Sequence, residues 1–93
     1  MNSQYDNTLA TVVSTIRMAI DEDWIHDWDI HAETRLSSDL ELDSIEFVKI
    51  ADALQVHYGA RINMVQWLSG KNMDELINMT VGDIAAFIAS AAS

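Results

Sequence analysis

Ser44 is the residue of this 93-residue sequence whose surroundings best suit it for chemistry. It follows a short acidic stretch and opens the most regular amphipathic segment of the chain, where apolar residues recur at steps of three and four. Asp43, followed three residues later by Glu46, fits a capping box in which each side chain accepts a backbone N–H of the other residue. The pattern predicts a helix that begins at Asp43 or Ser44.

A helix start at this point suggests what Ser44 can hold. Unpaired N–H groups and the positive end of the helix dipole favour a negatively charged group in the first turn. A phosphodiester on the Ser44 hydroxyl would therefore be well placed. The alternative is that Ser44 only caps the helix, because Ser and Asp are among the commonest cap residues.

A serine hydrolase built from Ser44, His57 and Asp43 is excluded by spacing. Adjacent Asp and Ser side chains cannot both flank one imidazole, as a catalytic triad requires. His57 also lies thirteen residues further along the same predicted helix, which places it roughly 20 Å from Ser44. The sequence therefore favours a non-catalytic role for Ser44.

The loop histidines do not form a recognisable metal site. A calcium-binding loop that starts at Asp21 fails, because its sixth position is His26 instead of glycine and its twelfth is Ala32 instead of glutamate. His26 and His31 could bind a metal with neighbouring aspartates, but their spacing matches no specific ligand pattern. We predict no metal site and interpret both histidines as solvated loop residues.

The composition limits the fold class. The length suffices for a modest core, so we assign residues 1–93 to a single domain with its core over about residues 5–90. Proline is absent and glycine occurs three times, which predicts an all-α fold. The sequence has no cysteine, no leader-like start and no apolar stretch long enough to span a membrane. We therefore expect a soluble, cytoplasmic, monomeric protein.

Negative charge is concentrated before and at the start of the Ser44 helix. Residues 21–46 contain ten acidic side chains and one basic side chain, and so hold −9 of the formal net charge of −10. Such a surface repels nucleic acid and anionic lipid, so we expect neither as a partner. It attracts basic protein surfaces towards the start of the helix. The alternative is an acidic surface that serves only solubility.

Hydrophobic spacing predicts the first half of the fold. Helical periodicity over residues 8–20 predicts a first helix, which starts earlier, near Ser3. Its apolar stripe consists of Tyr5, Leu9, Val12, Val13, Ile16 and Ile20. Residues 21–43 lack such periodicity and predict a long ordered loop with a short helical turn at residues 23–28. A loop of this length needs buried anchors. The candidates are Trp24, Ile25, Trp28, Ile30, Leu36, Leu40 and Leu42.

The second half contains shorter elements. Gly59 is a natural stop for the Ser44 helix. Apolar residues within 62–68 and 74–77 predict one or two short helices. Thr80 and Asp83 form a second capping pair, which predicts a closing helix from about residue 81. The sequence therefore predicts a first helix, a long acidic loop, the Ser44 helix, one or two short helices and a closing helix.

This arrangement resembles the acyl carrier proteins, small four-helix proteins that bear a phosphopantetheine arm. The resemblance implies an all-α four-helix bundle with a long loop between helices 1 and 2 and a short third helix. The resemblance covers about residues 5–90. Its first motif is Leu42-Asp43-Ser44-Ile45, against the family's Asp-Ser-Leu, and its second is Thr80-Val81-Gly82-Asp83-Ile84, against the family's Thr-Val-Gly-Asp-Leu. Further matches are Asp39, Leu40, Val48, Ile50, Leu54, Ile62 and Leu76. The two motifs occur at a separation compatible with the family.

The resemblance implies a carrier and not an enzyme. Ser44 would receive phosphopantetheine from coenzyme A through a separate phosphopantetheinyl transferase, and Asp43 would lie near the transferase's magnesium ion. The arm's thiol would then hold acyl groups as thioesters for acyl-loading, ketosynthase or acyltransferase-type enzymes. By the same resemblance, the residues that face these partners are Glu41, Ile45, Glu46, Val48 and Asp52. Those that line an interior for short acyl chains are Phe47, Ile50, Leu54 and Tyr58.

Departures from the family pattern indicate a specialised role. Lys49, Gln55, Val56 and His57 occupy positions where carriers of fatty acid synthesis commonly have acids, and Asp52 replaces an apolar contact residue. These differences favour a polyketide or other specialised pathway. The Gly-Gly pair that precedes the serine of peptidyl carriers is absent, so an aminoacyl cargo is a secondary alternative. A non-carrier acidic interaction module is the other.

Overall fold

The computed structural model describes residues 3–20, 23–26 and 29–91. These residues form helices and loops without a strand, which confirms the predicted all-α fold. Their α-helices are α1 (Ser3–Ala19), α2 (Ser44–Tyr58), α3 (Met64–Ser69), α4 (Met73–Ile77) and α5 (Val81–Ala91). Short 3-10 turns cover Asp23–His26 and Gly59–Arg61. The segment predicted to contain one or two short helices contains two, α3 and α4. None of the described helices is long and apolar enough to span a bilayer.

Helix α1 is amphipathic and forms one wall of the core. Val12 and Ile16 are fully buried, Ile20 is buried just past the helix end, and Leu9 and Val13 pack at the edge. The helix lies mainly against α5 and also against α2. Its start at Ser3 and its buried stripe confirm the prediction from hydrophobic spacing.

Apolar side chains buried in the core anchor the long loop between α1 and α2, as predicted. Among its described residues, the buried apolar side chains are Ile25, Ile30, Leu36, Leu40 and Leu42. Arg17 of α1 also links that helix to the short 3-10 turn, because its Nη1 donates a hydrogen bond to the Ile25 carbonyl at 2.6 Å. Two further predicted anchors lie outside the described part of the chain, namely the side chain of Trp24 and the whole of Trp28.

Backbone hydrogen bonds fasten this loop to the start of α5. We call residues 32–36 together with residues 79–82 the loop clasp. Its N–H to C=O bonds are Val81 to Thr34 at 2.9 Å, Gly82 to Ala32 at 2.8 Å and Leu36 to Met79 at 3.2 Å. An isolated antiparallel bridge pairs Arg35 with Thr80. The clasp therefore fixes the path of the loop on its way to Ser44.

Helix α3 is positioned by a side chain of α2. Gln55 Nε2 donates to the carbonyls of Gly59 at 2.7 Å and Ile62 at 2.9 Å, and Gln55 Oε1 accepts from the Met64 N–H at 2.9 Å. One amide group thus joins the end of α2 to the start of α3. Gly59, with φ of 62°, ends α2 as predicted.

An aromatic pair also holds α3 against α5. The rings of Trp67 and Phe87 are stacked, with centroids 4.3 Å apart and planes 5° apart. Lys71 Nζ lies 4.7 Å from the Trp67 ring centroid, within the range of a cation–π contact. Helix α3 is therefore fixed on two sides, by Gln55 and by this stack.

The loop clasp leads to a prediction at Gly82. A Cβ added there would lie 2.9 Å from the Ala32 carbonyl oxygen and 3.1 Å from the Tyr5 hydroxyl. Gly82→Ala should therefore lower the free energy of unfolding by about 1–3 kcal/mol in urea denaturation, although Ala is the better helix former. Gly70→Ala is the control, because its Cβ would meet nothing closer than 3.7 Å. Equal stability of the two variants would contradict the tight contact.

The amide of Gln55 leads to a second prediction. Gln55→Glu replaces two donated hydrogen bonds with a carboxylate that faces two carbonyl oxygens, so the free energy of unfolding should fall by about 2 kcal/mol. Gln66→Glu, on the exposed side of α3, should change it by less than about 0.5 kcal/mol. A small effect at both positions would show that the α2–α3 junction does not depend on the amide.

Candidate functional site

The candidate site begins where α2 begins. Asp43 is the N-cap, and its Oδ1 accepts the Glu46 N–H at 2.8 Å, while the Asp43 N–H donates to Glu46 Oε1 at 3.4 Å. This confirms the predicted capping box and the predicted helix start. Because Asp43 fills the capping position, the alternative in which Ser44 caps the helix is wrong.

Ser44 is the first residue of the 15-residue helix α2. Its backbone position puts it in the turn where N–H groups lack helical acceptors and where the helix dipole is positive. This environment suits a phosphate ester on the residue. The Ser44 side chain itself lies outside what the structure describes, so the predicted projection of its hydroxyl stays a prediction.

The segment that leads into Ser44 is held by alternating buried and exposed residues. Leu40 and Leu42 are buried, and the Leu42 N–H donates to the Leu36 carbonyl at 3.2 Å. Glu41, between them, is exposed and has φ of 53°. This left-handed conformation is unfavourable for a residue with a Cβ. The backbone is therefore strained at Glu41, three residues before Ser44 and between two buried leucines.

The residues predicted to face partners all lie near or along one surface of α2. Ile45, Val48 and Asp52 are exposed at spacings of three and four, and Glu41 is exposed just before the helix. Glu46 is half-buried, because its carboxylate is engaged in the capping box. Their role in binding partners stays a prediction.

Two open grooves flank the α2 surface. The groove between α2 and α4 has a volume of about 340 Å³ and is lined mainly by apolar side chains, among them Leu42, Phe47, Val48, Met73, Leu76 and Ile77. The groove between α2 and α3 has a volume of about 420 Å³ and shares Phe47, Val48 and Leu68 with the first. Both grooves lie along the helix that Ser44 begins.

The predicted acyl-lining residues fall into two groups. Phe47 is half-buried and lines both grooves. Ile50 and Leu54 are buried in the core, and Tyr58 packs at its edge, so these three line neither groove. Met73 and Ile77 line the first groove, although sequence reasoning assigned no role to Met73 and treated Ile77 only as part of a helical turn. The indication available in the sequence was that Met73 and Ile77 lie one helical turn apart in a segment that follows the capping residue Asn72.

The histidines contribute no second site in the described residues. His31 is exposed, and its Nδ1 accepts the Glu33 N–H at 3.3 Å, which fits the predicted loop role. His57 lies in the last turn of α2 and packs edge-on against Tyr58. Within the described part of the chain no three metal-ligating side chains come together. The His26 side chain lies outside that part.

Comparison with known families identifies the segment that contains this site. The family model described as a phosphopantetheine attachment site matches residues 26–88. The match includes the start of α2, both grooves and the loop clasp. Searches of curated proteins and of solved structures give no significant match.

The strained backbone before Ser44 leads to a prediction. Glu41→Gly removes the Cβ that disfavours φ of 53°, so the free energy of unfolding should rise by about 0.5–1 kcal/mol after the added chain entropy of glycine is counted. Glu41→Gln is the control, because it removes the charge and keeps the Cβ. Thermal and urea unfolding of the two variants would refute the strain if Glu41→Gly were the less stable.

Proposed function

Because this chain belongs to the phosphopantetheine attachment site family, we propose that Ser44 is the residue that carries the cofactor. The observation that carries the proposal is the capping box, which makes Ser44 the first residue of α2 within the matched segment. The phosphate of the arm would then lie against the first turn of a long helix, where dipole and N–H groups favour it.

The attachment step is a phosphoryl-type transfer from coenzyme A, carried out by a separate phosphopantetheinyl transferase. The Ser44 hydroxyl attacks the phosphorus that bears the pantetheine, and a new O–P bond forms at Oγ. The bond from that phosphorus to the nucleotide breaks, so 3′,5′-ADP leaves and the hydroxyl proton is released. Asp43 would lie near the transferase's magnesium ion during this step, and its carboxylate, whose Oδ1 accepts the Glu46 N–H, would supply an oxygen of the kind that magnesium prefers.

The chain then acts as a carrier and not as a catalyst. The cofactor supplies a terminal thiol that forms a thioester with an acyl group. This explains how a chain without cysteine takes part in thioester chemistry. The protein presents the tethered group to acyl-loading, ketosynthase or acyltransferase-type enzymes at a raised effective concentration. In this proposal it is a cytoplasmic monomer.

Three surface residues support a polyketide or other specialised pathway over general fatty acid synthesis. Lys49, Val56 and His57 are exposed on α2, where a basic, an apolar and an imidazole side chain replace acids. Gln55 has a different explanation, because its amide joins α2 to α3 and a carboxylate could not donate those hydrogen bonds. The proposal of a specialised pathway therefore rests only on the exposed residues and not on Gln55.

The groove between α2 and α4 supports a hydrophobic cargo. Its floor consists of half-buried and buried apolar side chains, such as Leu42, Phe47 and Leu76, and it opens beside the helix that starts at Ser44. A short acyl chain laid in this groove would be removed from water at a favourable ~25 cal/mol per Å² of buried apolar surface. The thioester would be sheltered by the same contact.

The assignment of Ser44 is tested by incubation with coenzyme A, magnesium and a broad-specificity phosphopantetheinyl transferase. Intact-protein mass spectrometry should show the mass of one phosphopantetheine on the unaltered chain and none on Ser44→Ala. Ser38→Ala, an exposed loop serine, should be modified normally. If Ser44→Ala is still modified, the attachment site is a residue other than Ser44. If several transferases leave the unaltered chain unmodified, the result favours an interaction module that carries no phosphopantetheine arm.

A further inference from the structure

A groove at the far end of α2 from Ser44 has no part in the proposed function. It lies between the end of α2, α3 and the end of α5, and its volume is about 760 Å³. We call it the distal groove, and its lining residues include Arg61, Asn63, Gln66, Trp67 and Phe87. Because an α-helix rises 1.5 Å per residue, the end of the 15-residue helix α2 lies roughly 20 Å from Ser44.

The distal groove carries a positive charge in a strongly acidic chain. Among the described residues that line it, Arg61 alone is charged, and no described carboxylate lies within ion-pair distance of its guanidinium. Residues 53–73 contain Arg61 and Lys71 but no Asp or Glu, although the chain has 15 acidic residues and a net charge of −10. The acidic start of α2 is more than two screening lengths away at physiological ionic strength, where this length is about 8 Å. An anionic ligand can therefore approach this groove.

A neighbouring groove shares the stacked aromatic rings but differs in charge. Its volume is about 670 Å³, and Lys71, Glu75 and Asp83 are among its lining residues. Lys71 Nζ lies 3.8 Å from Glu75 Oε2, and Asp83 Oδ2 accepts a backbone N–H at 3.0 Å. The Arg61 guanidinium instead lies over the Tyr58 ring, 5.7 Å from its centroid, which leaves its N–H groups available to a ligand. Of the two grooves, the distal groove is the better site for an anion.

The lining residues indicate an extended acidic peptide as the occupant. A guanidinium donates two parallel hydrogen bonds to a carboxylate. The half-buried rings of Trp67 and Phe87 offer an apolar surface to an aromatic or aliphatic side chain. The amide of Gln66 can both donate to and accept from a peptide backbone. Sites for small molecules enclose most of their ligand, whereas Arg61, Asn63 and Gln66 are exposed here. An open groove fits a peptide better.

We propose that the distal groove binds an extended segment of a partner protein in which acidic residues alternate with aromatic or large aliphatic residues. Successive side chains of an extended peptide point to opposite sides. The apolar ones can then contact Trp67 and Phe87, while the acidic ones reach Arg61 at the exposed edge. The segment can stay bound while Ser44 is in use, since the two sites lie at opposite ends of α2.

The test is a titration of the isotope-labelled chain with an acetylated, amidated hexapeptide of alternating Asp and Phe, followed by two-dimensional amide NMR spectra. The Trp67 indole N–H and the backbone amides of residues 61–67 should shift and saturate with a Kd of about 1 mM or below. Hexapeptides of alternating Lys and Phe, or of alternating Asp and Ala, should bind at least about fivefold more weakly. Ser44→Ala should bind as the unaltered chain does, so failure of the proposed function would leave this result unchanged.

Opposite charges at one exposed position separate electrostatic attraction from structural damage. Gln66→Glu should raise the Kd roughly two- to fivefold, and Gln66→Lys should lower it by a similar factor. A structural disturbance would change both Kd values in the same direction. Arg61→Gln should raise the Kd roughly three- to fivefold. Arg35→Gln is its matched control, because it removes the same charge from an exposed loop residue that does not line the groove, and it should change the Kd by less than about 1.5-fold.

Four results would overturn the proposal. The first is no saturable shift with up to about 5 mM of the Asp and Phe peptide. The second is an equal Kd for Arg61→Gln and Arg35→Gln. The third is a set of shifts centred on residues 44–48, which would show that the peptide binds elsewhere. The fourth is binding of phenylacetate as tight as that of the peptide, which would identify a site for a small carboxylic acid.

Discussion

The structure depends on the loop clasp, the set of backbone hydrogen bonds between residues 32–36 and residues 79–82. The loop that precedes α2 has little regular secondary structure, and the hydrogen bonds within it, such as Leu42 N–H to the Leu36 carbonyl, join residues close in the chain. The clasp attaches its middle to the first turn of α5, and Gly82 permits the approach because no Cβ would fit beside Ala32. Leu40 and Leu42, anchored beyond the clasp, then determine where α2 begins.

The start of α2 combines rigidity with local strain. The carboxylates of Asp43 and Glu46 each accept a backbone N–H, which defines the helix start without using Ser44 as a cap. Just before it, between two buried leucines, Glu41 has a left-handed conformation that glycine would adopt at lower cost. Strained backbone positions cluster at functional sites. This combination agrees with a residue presented to other enzymes from a fixed support.

Membership of a carrier family accounts for features that would be odd in an enzyme. The described residues form shallow grooves beside α2, and His57 is held at the far end of that helix from Ser44. Carriers need a rigid attachment point and a surface that several enzymes can contact in turn. In the described residues, acidic side chains lie at the start of α2, and the exposed apolar side chains Ile45, Val48, Val65, Met73 and Ile77 lie along α2, α3 and α4.

The sequence by itself determined the helical fold, the buried stripe of α1, the capping box and the identity of Ser44 as candidate, because helix periodicity and capping act between residues close in the chain. Only the tertiary structure decided which apolar residues of α2 face the core and which face a groove, since Phe47 and Ile50 look alike in the sequence. It also showed why Gln55 is not an acid, and that Met73 and Ile77 lie opposite Val48. Contacts between elements distant in the chain depend on how the helices pack, which local spacing does not encode.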